Sequence, residues 1–143
     1  MKLDSKIWGP HYWFFLHTAA MTYPVTPNDT VKKKFYEFIQ NFPLFIPDSK
    51  ISASFTTILD TYPVSPYLDS KDSLVRWTHF IHNKVNKKLE KDVISIEKFY
   101  TSYYKQYETT SEKQIQYIKT KKHVTYAVIV LSLLVLIYVV YKK

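Results

Sequence analysis

His79, His82, Asn83 and Asn86 lie at offsets of three, four and seven residues, so on a helix they project from one face. Two imidazoles and two carboxamides in that arrangement can donate to and accept from a flat heteroaromatic ligand while carrying no fixed charge. From spacing alone the same four side chains read first as a solvated polar surface, with the wall of a ligand cleft as the alternative. A metal site is not expected. No carboxylate stands at the helical spacing of a di-iron motif, and the chain has no cysteine to complete a ligand set. Leu74, Trp77, Ile81, Val85 and Leu89 run beside the polar residues at helical spacing, the pattern of a core-facing stripe.

Such a helix needs partners, and the composition says of what kind. The 143 residues include 13 Tyr, 9 Phe and 3 Trp but one glycine, Gly9, and no cysteine. A dinucleotide fold or phosphate-cradling loop needs several glycines to let backbone approach the ligand. Tight β-hairpins lean on glycine as well. Zero cysteine removes zinc fingers, iron–sulfur clusters, disulfide frameworks and thiol nucleophiles. An all-α fold remains.

Seven prolines punctuate it. Pro10 reads as a helix start, where its missing N–H costs nothing, with a nearly apolar helix over 12–22 that stops before Pro24. A second helix is expected over 28–41, capped by Asn28 and closed by Pro43. Asn28-Asp29-Thr30 is also a glycosylation sequon, but in a cytosolic domain capping is the expected role of Asn28. A third helix starts after Pro47 and ends before Pro63. The fourth opens near Asp69 and Ser70 and runs to about Lys91, and Ser95 caps a fifth over 96–108.

Charge is uneven along the chain. Residues 1–110 carry 14 basic and 11 acidic side chains, +3, and residues 111–143 carry 6 and 1, +5. Arg76 is the only arginine. Duplex readers rely on arginine for bidentate contacts, so nucleic acid is not an expected partner. The excess instead flanks residues 124–141, VTYAVIVLSLLVLIYVVY, an uncharged run whose helical length of ~27 Å is close to a bilayer's hydrocarbon thickness. Lys119, Lys121 and Lys122 precede it, Lys142 and Lys143 follow, and Tyr126, Tyr138 and Tyr141 stand near its ends, as interfacial aromatics do. The expectation is a bundle domain over 1–108, a polar and basic linker over 109–123 and a transmembrane anchor over 124–141. The topology is tail-anchored, with the N-terminal domain cytosolic and the basic cluster facing anionic lipid.

Trp8-Gly9-Pro10-x-x-Trp13-x-x-Leu16-His17, followed by Tyr23-Pro24, resembles the first helix of the Erv/ALR FAD-linked sulfhydryl oxidases. His82-Asn83-Lys84-Val85-Asn86-Lys87-Lys88-Leu89-x-Lys91 resembles that family's flavin-binding segment, and Ile94-Ser95-Ile96-Glu97 its link to a fifth helix. The resemblance covers about residues 7–105. It implies a four-helix bundle plus a short fifth helix, usually a homodimer, with FAD in the mouth of the bundle. By position it assigns Gly9, Trp13, His17 and Tyr23 to the cofactor site from the first helix. His79, His82, Asn83, Val85, Asn86, Lys88 and Lys91 follow from the fourth helix and its exit. Trp and His would stack on the ring systems, Asn would pair with ring heteroatoms and the lysines would meet the pyrophosphate. From composition alone each aromatic reads equally well as core.

One departure bears on activity. Where the family has P-C-x-x-C-x-x-H-F, this chain has Pro47-Asp48-Ser49-Lys50-Ile51-Ser52-Ala53-Ser54-Phe55. Asp48 and Ile51 take the two cysteine positions, and Ser54 that of a flavin-contacting histidine. Neither a carboxylate nor an alkyl group can take electrons from a thiol. No catalytic residues are therefore expected. Whether FAD is kept stays open: most of the pocket survives and one contact does not. The resemblance also implies a viral setting, because large DNA viruses encode small relatives of this family. The leading expectation is a non-catalytic, membrane-anchored structural or assembly component of a virus particle, located in the virion inner membrane. Its expected partners are the membrane, a second bundle as homodimer or heterodimer, and capsid proteins. The alternative is an FAD-binding flavoprotein acting in thiol/disulfide metabolism with a cysteine-bearing partner.

Overall fold

Each helix in the bundle begins at a residue whose side chain can satisfy the orphan N–H groups of a first turn. Residues 3–108 and 110–142 are described by the computed structural model, and among them all regular structure is helical. Helix α1 spans Ser5–Met21 behind Asp4, whose carboxylate accepts from the Lys6 N–H at 2.8 Å. In α2, Asp29–Asn41, Asn28 Oδ1 accepts from the Val31 N–H at 2.9 Å. Helix α3, Ser49–Thr61, starts from Asp48, which accepts from the Ile51 N–H at 3.0 Å. Ser70 caps α4, Lys71–Lys88, and Ser95 caps α5, Ile96–Lys105. A final helix, α6, covers Thr110–Tyr141.

The all-α class expected from the sequence is thus what forms, with three changes of boundary, the smallest being α5, which ends at Lys105 and not at 108. Helix α1 begins at Ser5, so Pro10 lies inside it and does not open it. The start signal is Asp4. Pro10 then removes only the hydrogen bond to the carbonyl of Lys6, an exposed residue whose oxygen can be hydrated. Pro43 does not stop α2 abruptly. It sits in a 3-10 turn, Phe42–Phe45, that carries the chain from α2 towards α3.

The second change is at the end of α4. The Glu90 N–H donates to Lys87 O at 3.1 Å and the Lys91 N–H to Asn86 O at 2.9 Å, the paired bonds of a Schellman motif. Glu90 takes the left-handed position with φ 55°, which glycine usually fills. The helix therefore stops at Lys88. Leu74, Trp77 and Ile81 of the expected stripe are buried, while Leu89, beyond the last turn, is 53% exposed.

The chain divides into two units, Met1–Thr101 and Ser102–Lys143, with the boundary inside α5. In the first, α1 packs along α4 and α3 closes on α4. Leu16, Tyr23, Leu59, Val64, Leu74, Trp77 and Ile81 form the centre of its core, and burying side chains of this size contributes roughly 1.5–3 kcal/mol each. Trp77 Nε1–H donates to Tyr62 O at 3.2 Å, so the largest core residue is satisfied. The second unit is dominated by α6. Residues Gln114–Tyr141 are long and apolar enough to cross a membrane and are wholly unburied.

Candidate functional site

The packing of α1 on α4 brings two helix faces into register. Trp13 and His17, one turn apart on α1, meet His82 on α4. The Trp13 and His82 rings lie parallel, 7° apart in tilt with centroids 4.0 Å apart, which is van der Waals contact with no room for a third ring between them. His17 Nε2 and His82 Nδ1 are 3.0 Å apart. From α5, Phe99 points its edge at His17 with centroids 4.6 Å apart, and it lies 5.4 Å from His79. Phe55 of α3 backs Trp13 at 6.0 Å.

Electrostatics keep this cluster neutral. Burial holds His17 down at about 3, and the neighbouring His82 and His79 rings push the same way. Burial, then His79 and Lys91, lowers His82 to about 4. A short bond between two imidazoles requires one donor and one acceptor, which two neutral rings supply. If His17 Nε2–H donates, His17 Nδ1 is a bare acceptor; if His82 Nδ1–H donates, His17 Nδ1 carries the proton. In either tautomer His17 Nδ1 is buried without a hydrogen-bond partner in the protein. Such atoms are uncommon in native interiors, and each points to a missing ligand, water or strain.

A second polar group stands one turn away. Asn83 Oδ1 accepts from the Ile94 N–H at 2.9 Å while Asn83 Nδ2 donates to Ile94 O at 2.8 Å. His79 Nε2 lies 2.7 Å from the same carbonyl and must therefore be protonated there. The 3.1 Å approach of Asn83 Nδ2 to His79 Nε2 is then one donor beside another, both serving the lone pairs of Ile94 O. Asn86 is buried, its Nδ2 3.4 Å from Asn83 Oδ1 and its carbonyl held by the Lys91 N–H.

The remaining expected residues are placed as follows. Val85 is half-buried, and Lys88 and Lys91 are exposed at the end of α4. Gly9 is half-buried, and a Cβ built there would meet nothing within 4 Å, so packing does not demand glycine. Tyr23 has other neighbours: it is buried, its ring meets Phe35 at 4.4 Å, and its hydroxyl donates to Leu68 O at 2.9 Å. Asp48 and Ile51 are joined by the α3 cap bond. Two residues that spacing did not single out belong with the cluster. Phe99 closes over His17, and Ile94 receives the Asn83 amide.

The Erv1 / Alr family model matches residues 10–108, more than half of the chain and all of the cluster just described. The chain belongs to the Erv1/Alr family. Relatives include the FAD-linked sulfhydryl oxidase of African swine fever virus, 32% identical over 113 residues that cover 79% of this chain and 90% of that one. A probable FAD-linked sulfhydryl oxidase of Acanthamoeba polyphaga mimivirus is 33% identical over 85 residues, 59% of each chain. Among solved structures, the yeast Erv1 core superposes with a TM-score of 0.61 at 30% identity, over 66% of this chain and 79% of that one. The FAD-binding domain of Erv1 from Saccharomyces cerevisiae gives 0.62 at 31% identity, over 66% and 88%. The Erv1/Alr fold expected from the two motifs is therefore the fold that forms.

Proposed function

We propose that this chain is a membrane-anchored Erv1/Alr protein that keeps the flavin frame and works without the family's dithiol, as a structural or assembly component of a large DNA virus particle. The observation that carries the reading is the sequence around the start of α3. The chain has no cysteine. Asp48 and Ile51, at the positions the family motif gives to cysteine, are used to begin a helix. A sulfhydryl oxidase needs a thiolate to attack and a second sulfur to resolve, and neither carboxylate nor alkyl supplies one. The viral relatives support the setting. The domain layout that goes with it is a bundle over 1–108, a linker over 109–123 and an anchor over 124–141. The bundle would lie on the cytosolic side, the anchor in the virion inner membrane, and capsid proteins would be its partners.

The residues present fit an FAD. His17 Nδ1 is a buried polar atom without a protein partner, beside the Trp13–His82 stack, and Lys88 and Lys91 stand exposed at the exit of α4 to meet a diphosphate. When bound, the flavin would supply two-electron redox chemistry. An outer face of the Trp13–His82 stack would carry its ring, the neutral imidazoles would accept or donate without competing charge, and Phe99 would exclude water from His17.

Purified full-length protein incubated with dithiothreitol or a reduced protein thiol should form no peroxide above the blank, and turnover by the isolated chain would overturn the reading. The orphaned His17 nitrogen favours a second reading, a flavoprotein working with a cysteine-bearing partner. Stoichiometric flavin, with peroxide formation that appears only when a cysteine-bearing relative is added, would select it.

A further inference from the structure

We propose that Asn83 is a positioning residue, a latch that fixes the α4–α5 joint and so holds Phe99 over His17, setting how long a flavin stays in the site. The proposal rests on the flavin reading above for its ligand and on the geometry of the joint for its mechanism. Residues 89–93, between the two helices, are exposed. Their first step is the left-handed backbone of Glu90. Then the chain returns to α4 at one residue: Ile94 receives Asn83 on both its N–H and its carbonyl, at 2.9 and 2.8 Å, and His79 on the carbonyl again at 2.7 Å. A carboxamide that meets both polar groups of one residue substitutes for a strand neighbour and fixes the direction of the backbone as well as its distance. Ser95 follows at once and caps α5 through the Lys98 N–H. Phe99, one turn into that helix, is buried against His17 and His79. The position of Phe99 thus descends from Ile94, and that of Ile94 from Asn83.

Both ends of the Asn83 amide are engaged in this way, which separates it from Trp13 and His82. It acts on a ligand through the joint and not by touching it. The latch also explains why His79 is protonated on Nε2: the shared carbonyl demands it.

The test uses the full chain in detergent micelles with whatever FAD it carries or takes up. In the unmodified protein the Ile94 amide should exchange with deuterium about 100-fold more slowly than those of Asp92 and Val93, as a bonded amide in a stable unit does beside exposed ones. Exchange at Ile94 as fast as at those neighbours would overturn the proposal before any variant is made. Asn83→Ala should release Ile94 while leaving the amides of Leu16 and Leu59 protected. It should also erase the Nε2–H signature of His79 in nitrogen-15 spectra and speed FAD loss about tenfold, the scale of one or two lost hydrogen bonds. Asn83→Asp, which keeps the acceptor for Ile94 N–H and loses the donor, should fall between. A freed Ile94 with unchanged FAD release would sink the coupling. If the chain binds no FAD, the flavin reading fails. The latch is then judged by the ring signals of His17, which must shift in Asn83→Ala if Phe99 has moved and stay fixed if the proposal is wrong.

Discussion

His17 Nε2 and His82 Nδ1 face each other at 3.0 Å across the seam between α1 and α4. A hydrogen bond between two imidazoles exists only while at least one of them is neutral, and burial keeps both so, at about 3 and about 4. The seam is therefore built for neutral rings, and acid acts on it directly.

That relationship sets a pH dependence with a definite sign. In the unfolded chain both histidines take protons below about 6.5, whereas the folded protein refuses them until pH approaches 4. Between those limits the unfolded state binds more protons, so stability falls as pH falls. Urea unfolding of the full chain should lose about 5 kcal/mol between pH 7 and pH 4.5, close to half from each histidine. His82→Phe should flatten roughly half of that slope, and a slope unchanged in the variant would mean that carboxylates elsewhere carry it.

Glu90 offers a change in the opposite direction. A side chain at φ 55° costs roughly 1–2 kcal/mol relative to glycine, partly offset by the freedom glycine gains when unfolded. Glu90→Gly should raise stability by about 1 kcal/mol, seen as a higher urea midpoint at an unchanged slope. A lower midpoint would mean that the Schellman turn is not what ends α4.

Placing sulfur at the start of α3 tests the frame around it. Asp48→Cys with Ile51→Cys removes a cap worth about 1 kcal/mol and puts two thiols one helical turn apart near the Phe55–Trp13 contact. With FAD bound, the double variant should oxidise dithiothreitol and release peroxide where the unmodified protein does not. A folded, flavin-loaded and inert variant would show that the frame has drifted further than its motifs.

The last prediction concerns α6. Gln114–Tyr141 is long and apolar enough to cross a membrane and has no buried share, so the anchor proposed above predicts that it sits in lipid or detergent. Leu133→Arg, near the middle of the apolar run, should disfavour insertion by about 2.5–3.5 kcal/mol. The read-out is release of the protein into the alkaline-soluble fraction of membranes. Unchanged membrane retention would argue against a span.

Much of the frame was legible because helices announce their starts. Asn28 and Ser95 cap as expected, α4 opens at Ser70 as expected, and Asp48 caps α3 directly after Pro47. Asp4 is a quieter start signal than Pro10, yet it is the one that opens α1, because a proline in the second turn deletes one bond and leaves the helix intact. The end of α4 and the exposure of Leu89 are hidden in the sequence, because the terminating residue is glutamate where a helix stop usually shows glycine. The motifs pointed to Trp13, His17 and His82, yet their stack and their short bond arise from two helices far apart in sequence. The engagement of Asn83 with Ile94 was not legible either. Eleven positions separate them, and only the path of an irregular joint decides that they meet.

The caps themselves have a consequence for how such a protein can change over time. Each of the first five helices is begun by a side chain of its own, one residue ahead of it, and none of those five starts borrows a group from the Trp13–His17–His82 cluster. Architecture and chemistry are therefore stored in different letters of the sequence. A lineage can let the reactive letters wander and still inherit the same bundle.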